Sequence, residues 1–364
     1  MFETEYREMF SQITASCSTK RRILNMKQEK THPHGLALGA KLLIAAVMIS
    51  LLAVTASATG LTSWFVDFFT ETNGESLTQS QVDYIEEKTQ NVGLRQTSGG
   101  YSLSLRSAIT DGRKTYVVLG VTAPEEVDLS RSPVEGYDLD TVYPSLSGNI
   151  HSTDGTYTVT SYATYWREDN DGKANTMDIV MMLDSYDGGF TQNVRWELTV
   201  CALTANCWNT AYERELQSKY AGQENVAYTD KESAKLNIFV PLVEGNWSFT
   251  FALENSTQEK AFLSAPITVQ ASVGWDAGGK DVLGEVKVNS IVLRQLSATV
   301  TYEGEYADFS YGERLRVVMK DGSQIPLWSD GGSTGIMYLY PETPIVLEDV
   351  DYLLLPDGTV LPTP

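Results

Sequence analysis

No charged residue occurs between Lys41 and Asp67, a run of 25 positions, and this run sets the first constraint on the fold. Its core, LLIAAVMISLLAVTASATGL, covers Leu42 to Leu61. Twenty helical residues rise roughly 30 Å, the thickness of a hydrocarbon bilayer core. The run predicts a transmembrane helix over residues 42–66. Lys41 snorkels at one end, and Trp64 and Phe65, followed by Phe68 and Phe69, form an aromatic belt at the other. Lys20, Arg21, Arg22, Lys27 and Lys30 also precede the run, whereas Asp67, Glu71 and Glu75 follow it. The positive-inside rule then puts the N-terminus in the cytoplasm and the larger part outside the cell membrane. Ala56-Ser57-Ala58 keeps a second reading open, cleavage of a signal peptide after Ala58. Against cleavage stand the long preceding segment and the hydrophobicity that continues to Phe69.

Residues 1–41 form the expected cytoplasmic tail. Phe2, Tyr6, Met9, Phe10 and Ile13 share one stripe of an α-helix, with Glu3 and Arg7 as an i,i+4 pair beside it. So short a segment cannot bury that stripe alone and needs a surface to lie on. Glu3, Glu5 and Glu8 make the helix acidic, which disfavours anionic lipid heads and favours a protein partner.

Beyond the run the sequence alternates. Thr78-Gln79-Ser80-Gln81 fits a capping box for one short helix carrying Val82, Ile85 and Thr89 on a face, with Gly93 as its C-terminal cap. Strand patterns follow: Tyr101, Leu103 and Leu105; Trp247, Phe249, Phe251 and Leu253; Leu296, Ala298, Val300 and Tyr302. Asp-Gly pairs at 111–112, 154–155, 171–172, 187–188, 321–322, 330–331 and 357–358 have the chemistry of tight hairpins. AYERELQSKY, from Ala211 to Tyr220, reads as a short surface helix or a loop insertion. The expected fold is mainly β: one N-terminal transmembrane helix, then two β-sandwich-like units with a short leading helix. Polar ENSTQEK, from Glu254 to Lys260, places the boundary between a unit at 67–258 and a smaller one at 259–364.

Charge and chemistry narrow the function. Up to Lys41 the chain carries seven Lys and Arg against four Asp and Glu, and the remainder carries 20 against 43. So negative a surface repels phosphate backbones, and nucleic acid is not an expected partner. The three histidines, His32, His34 and His151, stand in no catalytic arrangement, and no nucleophile elbow, P-loop, His-Glu-x-x-His or Cys-x-x-Cys is present. No catalytic residue, cofactor or metal ligand is assigned, and the protein is not expected to be an enzyme. Glu168-Asp169-Asn170-Asp171-Gly172 is oxygen-rich, but it departs from the EF-hand spacing and reads as a hairpin turn. Trp196 and Trp247 lie in alternating strands as core residues, while Trp208 and Trp328 lie beside turns, where an indole could stack on a sugar. Cys201 and Cys207 could bridge only if a turn intervened between them.

The tail YREMFSQITASCSTKRRILNM, the apolar run and LTQSQVDYIEEKTQNVGLRQTSGGYSLSLRSAITDGRKTYVVLGV together resemble a family of Firmicutes single-pass membrane proteins whose β-rich ectodomain has no known function. EGNWSFTFAL (Glu244–Leu253), VNSIVLRQLSATVTY (Val288–Tyr302) and PIVLEDVDYLLLPDGTVLP (Pro344–Pro362) extend the likeness through the later strands. The resemblance implies an anti-sigma-factor-like role, with the tail holding a sigma factor in the cytoplasm. Cys17 stands alone, so a zinc-held anti-sigma domain does not fit and the helix from Phe2 to Ile13 would do the binding. The leading expectation is a membrane-anchored extracellular sensor or regulatory protein. The alternative is an anchored binding module for cell-wall polymer or a surface protein, without signalling.

Overall fold

The computed structural model describes residues 61–364 except Glu75, Thr160 and residues 147–149, 154–158, 168–172, 186–194, 222–227, 255–257, 276–280 and 311–313. Two helices, α1 (Leu61–Asn73) and α2 (Gln79–Lys88), lead into two lobes of antiparallel sheet.

In the first lobe β1 (Gln90–Ser98), β2 (Tyr101–Thr110), β3 (Lys114–Thr122), β6 (Ser161–Arg167) and β7 (Thr176–Asp184) make one sheet in the order β1-β2-β3-β7-β6. A second sheet is centred on β8 (Arg195–Trp208). It is flanked by β9 (Asn237–Ala252) on one edge and by β4 (Asp138–Leu146) and the short β5 (His151–Ser152) on the other. Their facing side chains form one core. Leu103, Leu105, Val117, Leu119, Ile179 and Met181 meet Trp196, Leu198, Val200, Trp247, Phe249 and Phe251. The alternation of β9 is seen directly: Trp247, Phe249 and Phe251 are buried, and Ser248, Thr250 and Ala252 are exposed. Between β8 and β9 lie α3 (Thr210–Lys219) and α4 (Asp230–Leu236), the former accounting for the polar AYERELQSKY segment.

Among the described residues the second lobe holds nine strands: β10 (Lys260–Ala261), β11 (Ile267–Trp275), β12 (Asp281–Leu293), β13 (Ala298–Glu303), β14 (Arg316–Met319), β15 (Gln324–Ser333), β16 (Ile336–Pro341), β17 (Val350–Leu354) and β18 (Val360–Pro362). They run in the order β10-β12-β13-β16-β15-β14-β17-β18, with β11 also paired to β12. The sheet rolls round its own core of Val288, Val300, Phe309, Val317, Leu339 and Leu353. Its far ends meet where the Gln270 amide of β11 donates to Asp357 Oδ2 in the β17–β18 turn, at 3.0 Å.

The expected transmembrane helix is corrected. No helix among the described residues is long and apolar enough to cross a membrane. Leu42 to Gly60 lies outside the described residues, as do Phe2, Tyr6, Met9, Phe10, Ile13 and Lys41. Leu61 to Val66, assigned to the outer end of the span, begins α1 instead. Phe65, Phe68 and Phe69, spaced i, i+3 and i+4, form one buried face of that helix, while Asp67 and Glu71 are exposed. Phe65 is 0% exposed, so it is a core residue and not a membrane anchor, and Trp64 is half-buried beside the same cluster.

That cluster explains the most apolar strands. Along β3, Val117, Leu119 and Val121 point into the sandwich, while Tyr116 and Val118 point outward beneath α1 and α2. Along β7, Ile179 and Met181 face inward and Val180 and Met182 outward. A sheet covered on both faces carries continuous apolar runs, as YVVLGV and IVMML do. The cover includes Leu296 and Val346 of the second lobe, so α1 and α2 contact both lobes.

Candidate functional site

The join between the lobes is built from one hairpin. At the β2–β3 turn Gly112 takes φ +91°, a left-handed conformation that glycine adopts without strain. The Asp111 carboxylate closes this turn by accepting the Arg113 and Lys114 amides at 3.0 and 2.8 Å. Its other oxygen reaches the second lobe, accepting the Leu296 amide at 3.0 Å and the Ser297 hydroxyl at 2.7 Å.

The same turn carries two cations into the seam. Lys114 Nζ lies 2.9 Å from Asp184 Oδ1, at the end of β7, and 2.9 Å from Asp330 Oδ2, in β15 of the other lobe. Arg113 donates to Asp330 Oδ2 at 2.7 Å and stands 3.8 Å from Asp184. Tyr338 and Tyr340 of β16 cover the cations, each ring centroid 4.6 Å from its partner. The Lys114 side chain is 0% exposed and those of Arg113, Asp184 and Asp330 no more than 8%. Burial, with Asp330 adding to it, pushes the Asp184 carboxyl up to about 7 against the pull of Lys114 and Arg113. Burial acts upward on Asp330 too, but Lys114, Arg113 and the hydrogen bond with Asp184 hold it below its ordinary value. The two carboxyls shift in opposite directions, as acids that share one buried site do, Asp184 upward and Asp330 downward.

Beside this seam a cleft of about 340 Å³ opens between the α1–α2 connection and the second lobe. Thr78 caps α2, and Gln81 completes the capping box. Gln81, only 7% exposed, also spans the cleft floor, where its Nε2 donates to the Pro344 carbonyl at 2.8 Å and to Thr343 Oγ1 at 3.2 Å. Asp321, Glu342 and Asp349 supply carboxylates to the lining, and Lys320 supplies a cation whose Nζ donates to the Glu348 carbonyl at 2.7 Å. Hydrogen bonds from the Ser323 hydroxyl and amide hold the Asp321 carboxyl below its usual range. The Glu342 charge reaches the seam, since it helps burial to raise the Tyr340 phenol.

The structure divides the other sequence-derived candidates. Residues 168–172 lie outside the described part, and no group of His, Cys, Asp and Glu suited to a metal occurs among the described residues. His151 is exposed on β5. Cys201 and Cys207 both lie on β8 with no turn between them, and no disulfide joins them. Trp196 and Trp247 are core residues. Trp208 is half-buried and donates to Glu213 at 2.8 Å, and Trp328 carries the Arg314 guanidinium over one ring face, 3.6 Å from its centroid. Sequence reasoning missed the seam because Asp330-Gly331 reads as a hairpin turn. In the fold it lies at a bulge inside β15, which aims the aspartate across the lobes. The available signal was Lys114, a charge opening a strand too apolar to have a solvent-exposed face.

No protein-family model and no curated protein matches the sequence. Among solved structures the chain is similar to a conserved domain protein from Bacillus anthracis, with 13% identity over 73% of this chain and 76% of that one and a TM-score of 0.41. It is also similar to S. aureus TarS 217–571, with 9% identity over 90% of this chain and 95% of that one and a TM-score of 0.17. At these TM-scores neither likeness bears on fold or function.

Proposed function

We propose that the protein is a non-catalytic regulatory module that takes a polar, amine-bearing ligand in the cleft beside Gln81 and answers through the chain that precedes α1. One observation carries the reading. The α1–α2 connection and the start of α2 form a wall of the cleft, and the same helix pair is packed against both lobes. A ligand seated there touches the element that joins residues 1–60 to the rest of the chain. The carboxylates of Asp321, Glu342 and Asp349 outnumber the single Lys320, which selects for positive charge. Ser76, Thr78, Ser80, Ser323 and Thr343 add hydroxyls suited to a hydroxylated ligand. The stripe of Phe2, Tyr6, Met9, Phe10 and Ile13 is the proposed docking surface for a protein partner, and a sigma factor is the partner implied by the family resemblance.

Calorimetry of the full chain with a short chitosan oligomer tests the cleft, with its acetylated, uncharged counterpart as control. Binding of the charged oligomer alone, abolished by Glu342→Lys, is the expected result. Absence of any Glu342-dependent binding sinks the ligand assignment. A pull-down with residues 1–41 tests the second half, and retention of no specific protein there rules out the regulatory role.

A further inference from the structure

We propose that Arg113, Lys114, Asp184 and Asp330 form a proton-operated latch between the two lobes, tight while the two carboxylates share a proton and slack once it is lost. The inference is independent of what the cleft binds. Its ground is geometric. Three of the four groups belong to the first lobe, and Asp330 alone crosses from β15 of the second. Lys114 Nζ stands 2.9 Å from an oxygen of each carboxylate, so closing the lobes crowds both acids round one ammonium and removes all four groups from water. Desolvation and the mutual repulsion of the two carboxylates favour uptake of a proton, and the Lys114 and Arg113 charges beside them oppose it.

Every element around Asp184 contributes to this balance. The β2–β3 turn presents Arg113 and Lys114, with Asp111 holding the turn. Asp330 faces it from β15, and Tyr340 from β16, with Tyr338 over Arg113 and Glu342 beyond. In the closed state Asp184 keeps its proton up to about pH 7. With the lobes apart it would be a solvated carboxylate that ionises near pH 3.9. Closure therefore takes up a proton across the interval between the two values. A carboxyl whose closed-state pKa is raised favours closure fully below its ordinary value, and this is lost as pH rises through about 7. Asp330, shifted down, acts in the opposite sense: its share is present above the ordinary value and lost as pH falls through its closed-state value. The latch is tightest in mild acid and loosens toward alkaline pH, by at most about tenfold in the closing equilibrium per pH unit.

Hydrogen exchange of the full chain between pH 5 and 8.5, corrected for intrinsic exchange, reads the latch at residues 293–298, where the Leu296 amide bonds across the seam to Asp111. Protection there should fall as pH rises past neutrality, while the β3 and β7 amides inside the first lobe keep theirs. Asp184→Asn, which cannot ionise, should make seam protection independent of pH above 6. A flat wild-type profile, or an unchanged pH dependence in Asp184→Asn, overturns the latch. Should Asp184→Asn fail to fold, carboxyl NMR of aspartate-labelled wild-type protein decides instead. Titration of Asp184 near neutrality supports the latch, and titration in the ordinary carboxylate range overturns it.

Discussion

The Asp111 carboxylate accepts the Ser297 hydroxyl at 2.7 Å across the seam between the lobes. Its two oxygens together take four hydrogen bonds, two inside the β2–β3 turn and two from the second lobe. The residue is 1% exposed, so no solvent replaces those acceptors. Asp111→Ala leaves three backbone amides and a hydroxyl without partners, and should lower stability by about 3 kcal/mol or more in urea unfolding. Asp111→Asn retains one acceptor oxygen and should lose less. A loss below about 1 kcal/mol for the alanine variant would show that the turn does not fasten the lobes.

Phe65→Ala tests the reassignment of the aromatic run from membrane belt to core. The ring is 0% exposed and packs with Phe69 at a centroid distance of 6.4 Å in the cluster beneath α1. Truncating a buried phenylalanine costs about 3–5 kcal/mol, and the denaturation midpoint should fall accordingly. Trp64→Ala, at a half-buried position, should cost less. If the two substitutions are equally silent, α1 is not part of the folded core.

What the sequence made legible was whatever depends on local chemistry. Thr78 and Gln81 form the capping box their spacing implies, and Gly112, Gly322 and Gly358 take positive φ in hairpin turns. Long-range packing was not legible. Gly93 reads as a helix cap, but α2 ends at Lys88 and Gly93 sits in a β1 bulge. Leu296 reads as the first inward residue of a strand, yet it precedes β13 and packs on the outer face of the other lobe. Val82 and Thr89 are only half-buried, and Tyr84 is buried in their place, because α2 is covered from two sides. The candidate site was invisible for the same reason. Asp184 and Asp330 are 146 positions apart and meet only when both lobes have formed.

Ser323→Ala reads the electrostatics of the cleft. The Ser323 hydroxyl and amide donate to Asp321 Oδ1 at 2.6 and 2.9 Å and hold its carboxyl down. A depressed carboxylate contributes stability above its unfolded pKa and loses it as pH falls through the folded one. Removing the hydroxyl should raise the Asp321 pKa toward the ordinary range in an NMR titration, with little change in unfolding midpoint at neutral pH because the turn is exposed. An unchanged titration would mean that the backbone amide alone sets the shift.

Gly245 and Trp247 form a pair whose coupling is separable from either residue alone. A β-carbon added at Gly245 would fall 2.3 Å from Trp247 Cη2, because the indole folds back over the strand where β9 slips register against β8. The indole is 0% exposed and donates from Nε1 to the Tyr101 carbonyl at 3.1 Å, so it cannot swing away without breaking that bond. Overpacking of this kind costs about 1–3 kcal/mol, and Gly245→Ala should lose that much in fluorescence-detected unfolding. Trp247→Leu removes both the ring and its hydrogen bond and should be more damaging by itself. In the Trp247→Leu background, however, the added methyl meets no ring, and Gly245→Ala should become nearly neutral. The double-mutant cycle then returns a coupling of about 1 kcal/mol or more, whereas simple additivity would mean that the glycine is needed for its backbone and not for the indole above it.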